Sequence, residues 1–288
     1  MTPAHAQRPP LAHLPATEVH TLEPPALGHA LQLRVARPLA GFNGGNPPHP
    51  AGVLYLLDGD LYFGTATETT RLMNQFMGEL PPLLVVGVGY GGSPTATARL
   101  RTRDYTPSSD PAYVDMLPPV PDDEEIPHAM GGAETFLDVL EEEVQPFVEA
   151  RYEVKGLPRY LFGSSTAGLL GVWALLTRPG LMDGWILTSP SLWWDEGVAL
   201  ERERTSADDG PELSGQVYLA AGSLEEGIGN PILDGYRLVS NTRLLAERLA
   251  GRADPKLRVT TEILDGETHT SVVPSALLRG LRALTRPR

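Results

Sequence analysis

Cysteine is absent from the 288-residue chain. That excludes disulfides, thiolate metal centres and a thiol nucleophile, so covalent chemistry must come from hydroxyls or carboxylates. Long apolar runs are missing as well: none approaches the roughly 18 residues that a membrane-spanning helix needs. Residues Met1 to Pro10 lack the charged-then-apolar layout of a secretory leader. Net positive charge is also lacking. With 23 basic against 36 acidic side chains the formal charge is −13, which repels nucleic-acid backbones and anionic membranes. These absences lead us to expect a cytoplasmic protein with neither a nucleic-acid nor a membrane partner.

Hydrophobic residues make up 41% of the chain, enough for one large core, and no break in composition divides it. The expectation is a single domain over residues 17–288, preceded by a loose arm, residues 1–16, rich in Pro, Ala and His. His29 to Ala36 alternates as a strand does, and Gly41 to Pro50 reads as a loop. Val53–Leu57, Leu83–Val88 and Tyr160–Phe162 are unalternating apolar runs, the mark of strands covered on both faces. Strands are also expected at Trp185–Thr188, Val217–Ala221 and Leu257–Ile263. Helices are expected at Thr67–Met77, Glu134–Ala150, Thr242–Leu249 and Ser275–Leu284. This alternation implies an α/β fold with a mostly parallel central sheet and helices on both faces. Ser93 to Met130, rich in Pro, Asp and Arg without apolar periodicity, reads as one long loop.

Residues 160–168, Y-L-F-G-S-S-T-A-G, lead from an apolar strand into the helical pattern of Leu169, Leu170, Val172, Trp173, Leu175 and Leu176. This is the strand–turn–helix order of the nucleophile elbow of α/β-hydrolases, where a strained serine needs small residues two before and two after it. Gly163 and Ala167 meet that need for Ser165; Ser164 and Thr166 lose the spacing. The same residues also fit a plain helix start with a serine cap. In that fold the acid and then the histidine follow the serine. Six of the seven histidines precede Ser165, His128 among them, which leaves His269 as the general base. The acid is expected after strand V-Y-L-A-A-G: Glu225 is favoured over Glu226, with Asp195, Asp234 and Asp265 open.

An oxyanion hole takes one backbone N–H from the residue after the nucleophile, Thr166, and another from the turn after an earlier strand, here Gly59 or Asp60. Asp58 and Asp60 have no neighbouring histidine or further acid and read as turn residues, so no metal is expected. Arg99, Arg101 and Arg103 form a basic cluster that suits an anionic substrate group or pairs with the acidic stretch Asp122 to Glu125. Trp193 and Trp194 line a pocket or belong to the core.

Several segments in order resemble one family, the esterases of α/β-hydrolase fold that include enterochelin and bacillibactin esterases and siderophore trilactone hydrolases. They are V-L-Y-L-L-D-G-D-L-Y-F, R-T-R-D-Y-T-P, the stretch from Gly131 to Tyr152, the elbow, S-P-S-L-W-W, G-S-L-E and D-G-E-T-H. The elbow departs from the G-H-S-x-G-G of those relatives at Ser164 and Ala167. The resemblance implies cofactor-free hydrolysis of an ester through an acyl-enzyme, on a ferric siderophore as substrate. It also singles out Arg101, since an arginine three positions before Asp-Tyr recurs in the relatives. A short-acyl esterase or acyltransferase is the alternative. A non-catalytic binding protein would have no reason to keep serine, acid and the sole late histidine together.

Overall fold

A computed structural model describes residues 13–110, 113 and 130–285. Residues 1–12 of the expected arm, His128 and the acidic stretch Asp122 to Glu125 lie outside the described residues. The end of that arm is fastened: buried Arg71 donates to the carbonyls of Pro15 at 2.8 Å and Arg37 at 3.0 Å.

Eight strands form one sheet in the order β1-β2-β4-β3-β5-β6-β7-β8. They are β1 (Thr17–Leu22), β2 (Leu31–Ala36), β3 (Gly52–Leu56), β4 (Leu83–Gly89), β5 (Arg159–Ser164), β6 (Gly184–Thr188), β7 (Gly215–Gly222) and β8 (Leu257–Leu264). β1 and β2 pair antiparallel at one edge; from β4 to β8 every pairing is parallel. Parallel strands need crossovers. They are provided by α1 (Gly59–Gln75), α2 (Pro94–Tyr105), α3 (Ala133–Val139), α4 (Gln145–Tyr152), α5 (Thr166–Thr177), α6 (Trp194–Asp209), α7 (Pro231–Tyr236) and α8 (Leu238–Gly251), and α9 (Val272–Thr285) follows the last strand. A π-helical turn, Leu140–Val144, joins α3 to α4, so the helix expected at Glu134–Ala150 is continuous but for that turn.

Successive strand residues point to opposite faces, and the core is accordingly double. Val53, Tyr55 and Leu57 pack under α3 to α5 and α8, while Leu54 and Leu56 pack under α1 and α9. The apolar runs are unalternating because both faces are covered.

The long loop expected from Ser93 is corrected at its start. Pro94–Tyr105 is helical, with the Ser93 side chain accepting from Ala96 N and proline in the first turn. Its buried residues are Arg99, Thr102, Asp104 and Tyr105, and a polar buried face is invisible to a search for apolar periodicity.

Parallel order brings the carboxyl ends of β3 to β8 to one edge, where sites form in such sheets. α1 starts there against β4: a Cβ on Gly59 would lie 2.5 Å from the Gly87 backbone, whereas nothing lies within 4 Å of one on Gly64. Gly59→Ala should therefore lose about 1–3 kcal/mol in urea denaturation through overpacking. Gly64→Ala, in the same helix, should gain about 0.5–1 kcal/mol. Equal effects at the two positions would contradict the close approach of α1 to β4.

Candidate active site

β5 delivers Ser165 to the carboxyl edge at φ 60°, ψ −121°, a conformation that L-residues adopt only when the surroundings impose it. The Ser165 N–H donates to Thr188 O at 3.0 Å, and its carbonyl accepts from Leu169 N and Ser191 N. A Cβ on Gly163 would collide with the Ala167 carbonyl, and Ala167 itself is fully buried. Both small residues are thus required by the turn.

His269 sits between β8 and α9, and its Nδ1 lies 2.6 Å from Glu225 Oε2. An ionised carboxylate only accepts, so Nδ1 carries the proton and Nε2 is left as the basic nitrogen. Glu225 follows β7 in a short 3₁₀ turn and is 1% exposed. Its Oε1 accepts from Gly222 N at 2.6 Å and from Ser189 Oγ at 2.6 Å. Leu224 N donates to Glu267 O, tying this turn to the histidine loop. The other acids are engaged elsewhere. Glu226 accepts from Ser240 N at the start of α8, Asp234 gathers the amides of Gly227, Ile228 and Gly229, and Asp265 meets Ser223 Oγ. Asp195 lies beyond Trp194 in a left-handed turn.

Among the described residues Ser165 Oγ makes no hydrogen bond to His269; it lies 3.5 Å from Ser191 Oγ. Serine–histidine bonds of this kind are commonly long before substrate binds.

Thr166 is the first residue of α5, and Gly59 and Asp60 are the first two of α1. First-turn N–H groups have no partner within their own helix. Leu57 N donates to Phe162 O at 3.0 Å, so the two helices spring from strands hydrogen-bonded side by side. Asp58, just before α1, has φ 53°. The Asp60 carboxylate is turned away, accepting from Tyr90 N at 2.7 Å and pairing with Arg34.

The arginines were expected to suit an anionic substrate group or to pair with Asp122 to Glu125, a stretch outside the described residues; among the described residues Arg101 and Arg103 meet nearer acids. Arg101 forms a fork onto buried Asp58, Nε to Oδ1 at 2.9 Å and Nη2 to Oδ2 at 2.7 Å. Burial alone would lower the Arg101 pKa, but the Asp58 charge and hydrogen bonds outweigh it and raise the value further. Arg103 pairs with Asp104, whose other oxygen meets His29 Nε2 at 3.0 Å. Trp194 is 1% exposed and its indole donates to Ser108 O, so it belongs to the core. Half-buried Trp193 stacks on Tyr236 with ring centroids 4.2 Å apart.

Ser189, Ser191 and Asp58 escaped the reading of the sequence as contributors to the site. The signal for the first two was present in S-P-S-L directly after a buried strand, noted there only as part of a segment that carries the family resemblance. Among the described residues no cluster of three or more His, Asp or Glu has a metal-binding arrangement, and no helix is long and apolar enough to cross a membrane.

The family model described as "Putative esterase" matches residues 26–255. The chain is 32% identical to ferri-bacillibactin esterase BesA of Bacillus subtilis (strain 168), across 95% of this chain and 91% of the relative. It is 31% identical to the siderophore triacetylfusarinine C esterase of Aspergillus fumigatus, across 95% and 94%. Among solved structures, the BES protein of Bacillus cereus superposes with a TM-score of 0.78 at 27% identity, covering 97% of this chain and all of that one. Strand order, elbow and relatives agree: the chain belongs to the family described as "Putative esterase" and is a serine esterase of the α/β-hydrolase fold.

Proposed function

We propose that the chain hydrolyses siderophore esters through an acyl-enzyme formed on Ser165. The observation that carries this reading is the 2.6 Å contact between His269 Nδ1 and buried Glu225 beside a serine held in the elbow conformation. In the proposed cycle the Ser165 hydroxyl turns from Ser191 to His269. Its Oγ attacks the ester carbonyl as Nε2 takes the proton, and Glu225 stabilises the imidazolium without itself being protonated. The amide of Thr166 and that of Gly59 or Asp60 receive the oxyanion. Collapse breaks the C–O bond, and the leaving alkoxide takes the proton from Nε2. Water then repeats the sequence on the acyl-enzyme, returning the acid product and the free serine. None of these steps calls for a cofactor.

The siderophore substrate is supported by the relatives, whose names specify ferri-bacillibactin and triacetylfusarinine C. We extend that to the ferric form, and place the reaction in the cytoplasm in keeping with the lack of cysteine. A cavity of about 340 Å³ lined by Arg34, Asp60, Leu61, Gly91, Gly92 and Arg101 opens beside the α1 turn and offers room for one arm of such a molecule. One observation favours the second reading, a neutral short-acyl ester: Asp58, Asp60 and Asp104 match the charges of Arg101, Arg34 and Arg103. Hydrolysis of an iron-loaded and an iron-free trilactone beside p-nitrophenyl esters of graded length separates the two. The first reading expects a higher kcat/KM on the trilactone; preference for short acyl chains with no trilactone cleavage supports the second.

Ser165→Ala and His269→Ala should each lower kcat on the order of 10⁴- to 10⁶-fold, with the double variant scarcely worse, because such residues act as a unit. Glu225→Gln should lower kcat by about 10⁴-fold while Glu226→Gln leaves it nearly unchanged. Reversal between these neighbours would make Glu226 the acid. Arg101→Ala leaves Asp58 buried without its counter-charge, and should cost about 3–5 kcal/mol of stability. Through the disturbed α1 turn it should lower kcat/KM on anionic and neutral esters by a similar factor. A loss confined to the anionic substrate would instead mean that the guanidinium binds substrate directly.

A further inference from the structure

We infer that Ser189 is a positioning residue of the proposed relay, a donor that fixes which way the Glu225 carboxylate faces; this rests on the reading of Ser165, His269 and Glu225 given above. Ser189 follows β6, is fully buried, and donates its hydroxyl to Glu225 Oε1 at 2.6 Å. Its N–H is fixed to Ala220 O of β7 at 2.6 Å. Two residues on, Ser191 N holds the carbonyl of Ser165 at 3.1 Å. The short segment from Ser189 to Ser191 is therefore clamped between the acid and the nucleophile.

Two features set Ser189 apart from an ordinary buried serine. Its φ is +44°, a region where glycine is at ease and a side chain is strained, so a serine here needs a reason that glycine would not satisfy. The carboxylate it meets turns about a soft terminal torsion with two broad minima. One donor on Oε1, the Gly222 amide, leaves that rotation open. A second donor from a different strand fixes the carboxylate plane and leaves Oε2 aimed at His269 Nδ1. In this arrangement Ser189 touches neither substrate nor reacting atoms and acts through Glu225.

Glycine provides a test that separates positioning from packing, because Ser189→Gly removes the hydroxyl and also relieves the strained φ. On a p-nitrophenyl ester this variant should hold Tm close to wild type, the relieved φ offsetting the donor lost from a buried carboxylate, and leave KM within about twofold, yet lower kcat by about ten- to a hundredfold, one to two decades of lost transition-state stabilisation. In proton NMR the downfield resonance of the His269 Nδ1 proton, identified by its loss in His269→Ala, should shift or broaden. Ser189→Ala, which keeps a Cβ, should show the same kcat loss should the glycine variant fold poorly. A kcat within about twofold of wild type with an unmoved resonance overturns the inference, as does a loss of kcat that only parallels a fall in Tm. Fluorophosphonate labelling of Ser165 and the Ser165→Ala variant serve as controls. If Ser165→Ala stays active the catalytic reading fails; if it is dead and Ser189→Gly is normal, only the role of Ser189 fails.

Discussion

A carboxylate cannot be taken out of water without donors to replace its hydration, and the Glu225 carboxylate sets the terms for this site. Its donors come from three places along the chain: the Gly222 amide at the end of β7, the Ser189 hydroxyl after β6, and His269 before α9. Remove the register of any one of those strands and the buried charge is left short of a partner. The parallel pairing of β6, β7 and β8 supplies that register over their whole lengths. The same contacts that make the charge tolerable also hold the imidazole in the tautomer that leaves Nε2 basic. Stability and chemistry are here two readings of one set of hydrogen bonds.

Asp58 repeats the pattern on the other side of the nucleophile. It too is buried, and its charge is met by the fork of Arg101, while its N–H donates to Tyr105 Oη at 3.3 Å. Burial, and then the negative charge of Asp58, raise the Tyr105 pKa, so the phenol stays neutral as a partner. Both Arg101 and Tyr105 come from α2. The helix is thereby committed to α1, and the α1 turn carries the amides assigned to the oxyanion. A segment that looks like a basic surface patch is in this sense part of the frame.

What could be read from the sequence follows from which forces leave a local trace. Covered strands read as apolar runs, so β3 to β7 were legible to within a few residues; β8, at the half-exposed edge, was legible only from its place in the alternation of strands and helices. The elbow was legible because sterics demand Gly163 and Ala167 at fixed offsets from Ser165. His269 emerged by elimination. The start of α1 was missed because Gly59 and Asp60 read as a turn; the helix begins there on the left-handed Asp58. α2 was missed because the face it turns inward is mostly polar, with charges whose partners lie far along the chain, Asp58 for Arg101 and His29 for Asp104. The proposal of Glu225 as the acid rests on the same kind of distant partner. Sequence position alone left Glu226 beside it, and only the opposing directions of the two side chains, one to His269 and one to Ser240, separate them.

Just beyond the ends of three neighbouring parallel strands, β3, β5 and β6, stand residues with positive φ that are not glycine: Asp58 at 53°, Ser165 at 60° and Ser189 at 44°. Each such residue costs about 1–3 kcal/mol, so the cluster stores an appreciable fraction of what a domain can spare. Random placement would not put the strain on consecutive strands at one edge. Each residue has a side chain with a task at that edge: the Asp58 carboxylate takes the fork of Arg101, Ser165 presents its hydroxyl, and the Ser189 hydroxyl meets Glu225. Glycine would relieve each position and supply none of these groups. The strain is sustained because the strands behind it are buried on both faces, where packing and ladder hydrogen bonds leave the chain no cheaper way to end. The double-faced core and the strained edge are therefore parts of one design constraint, since a thinner core could not hold three such corners in place.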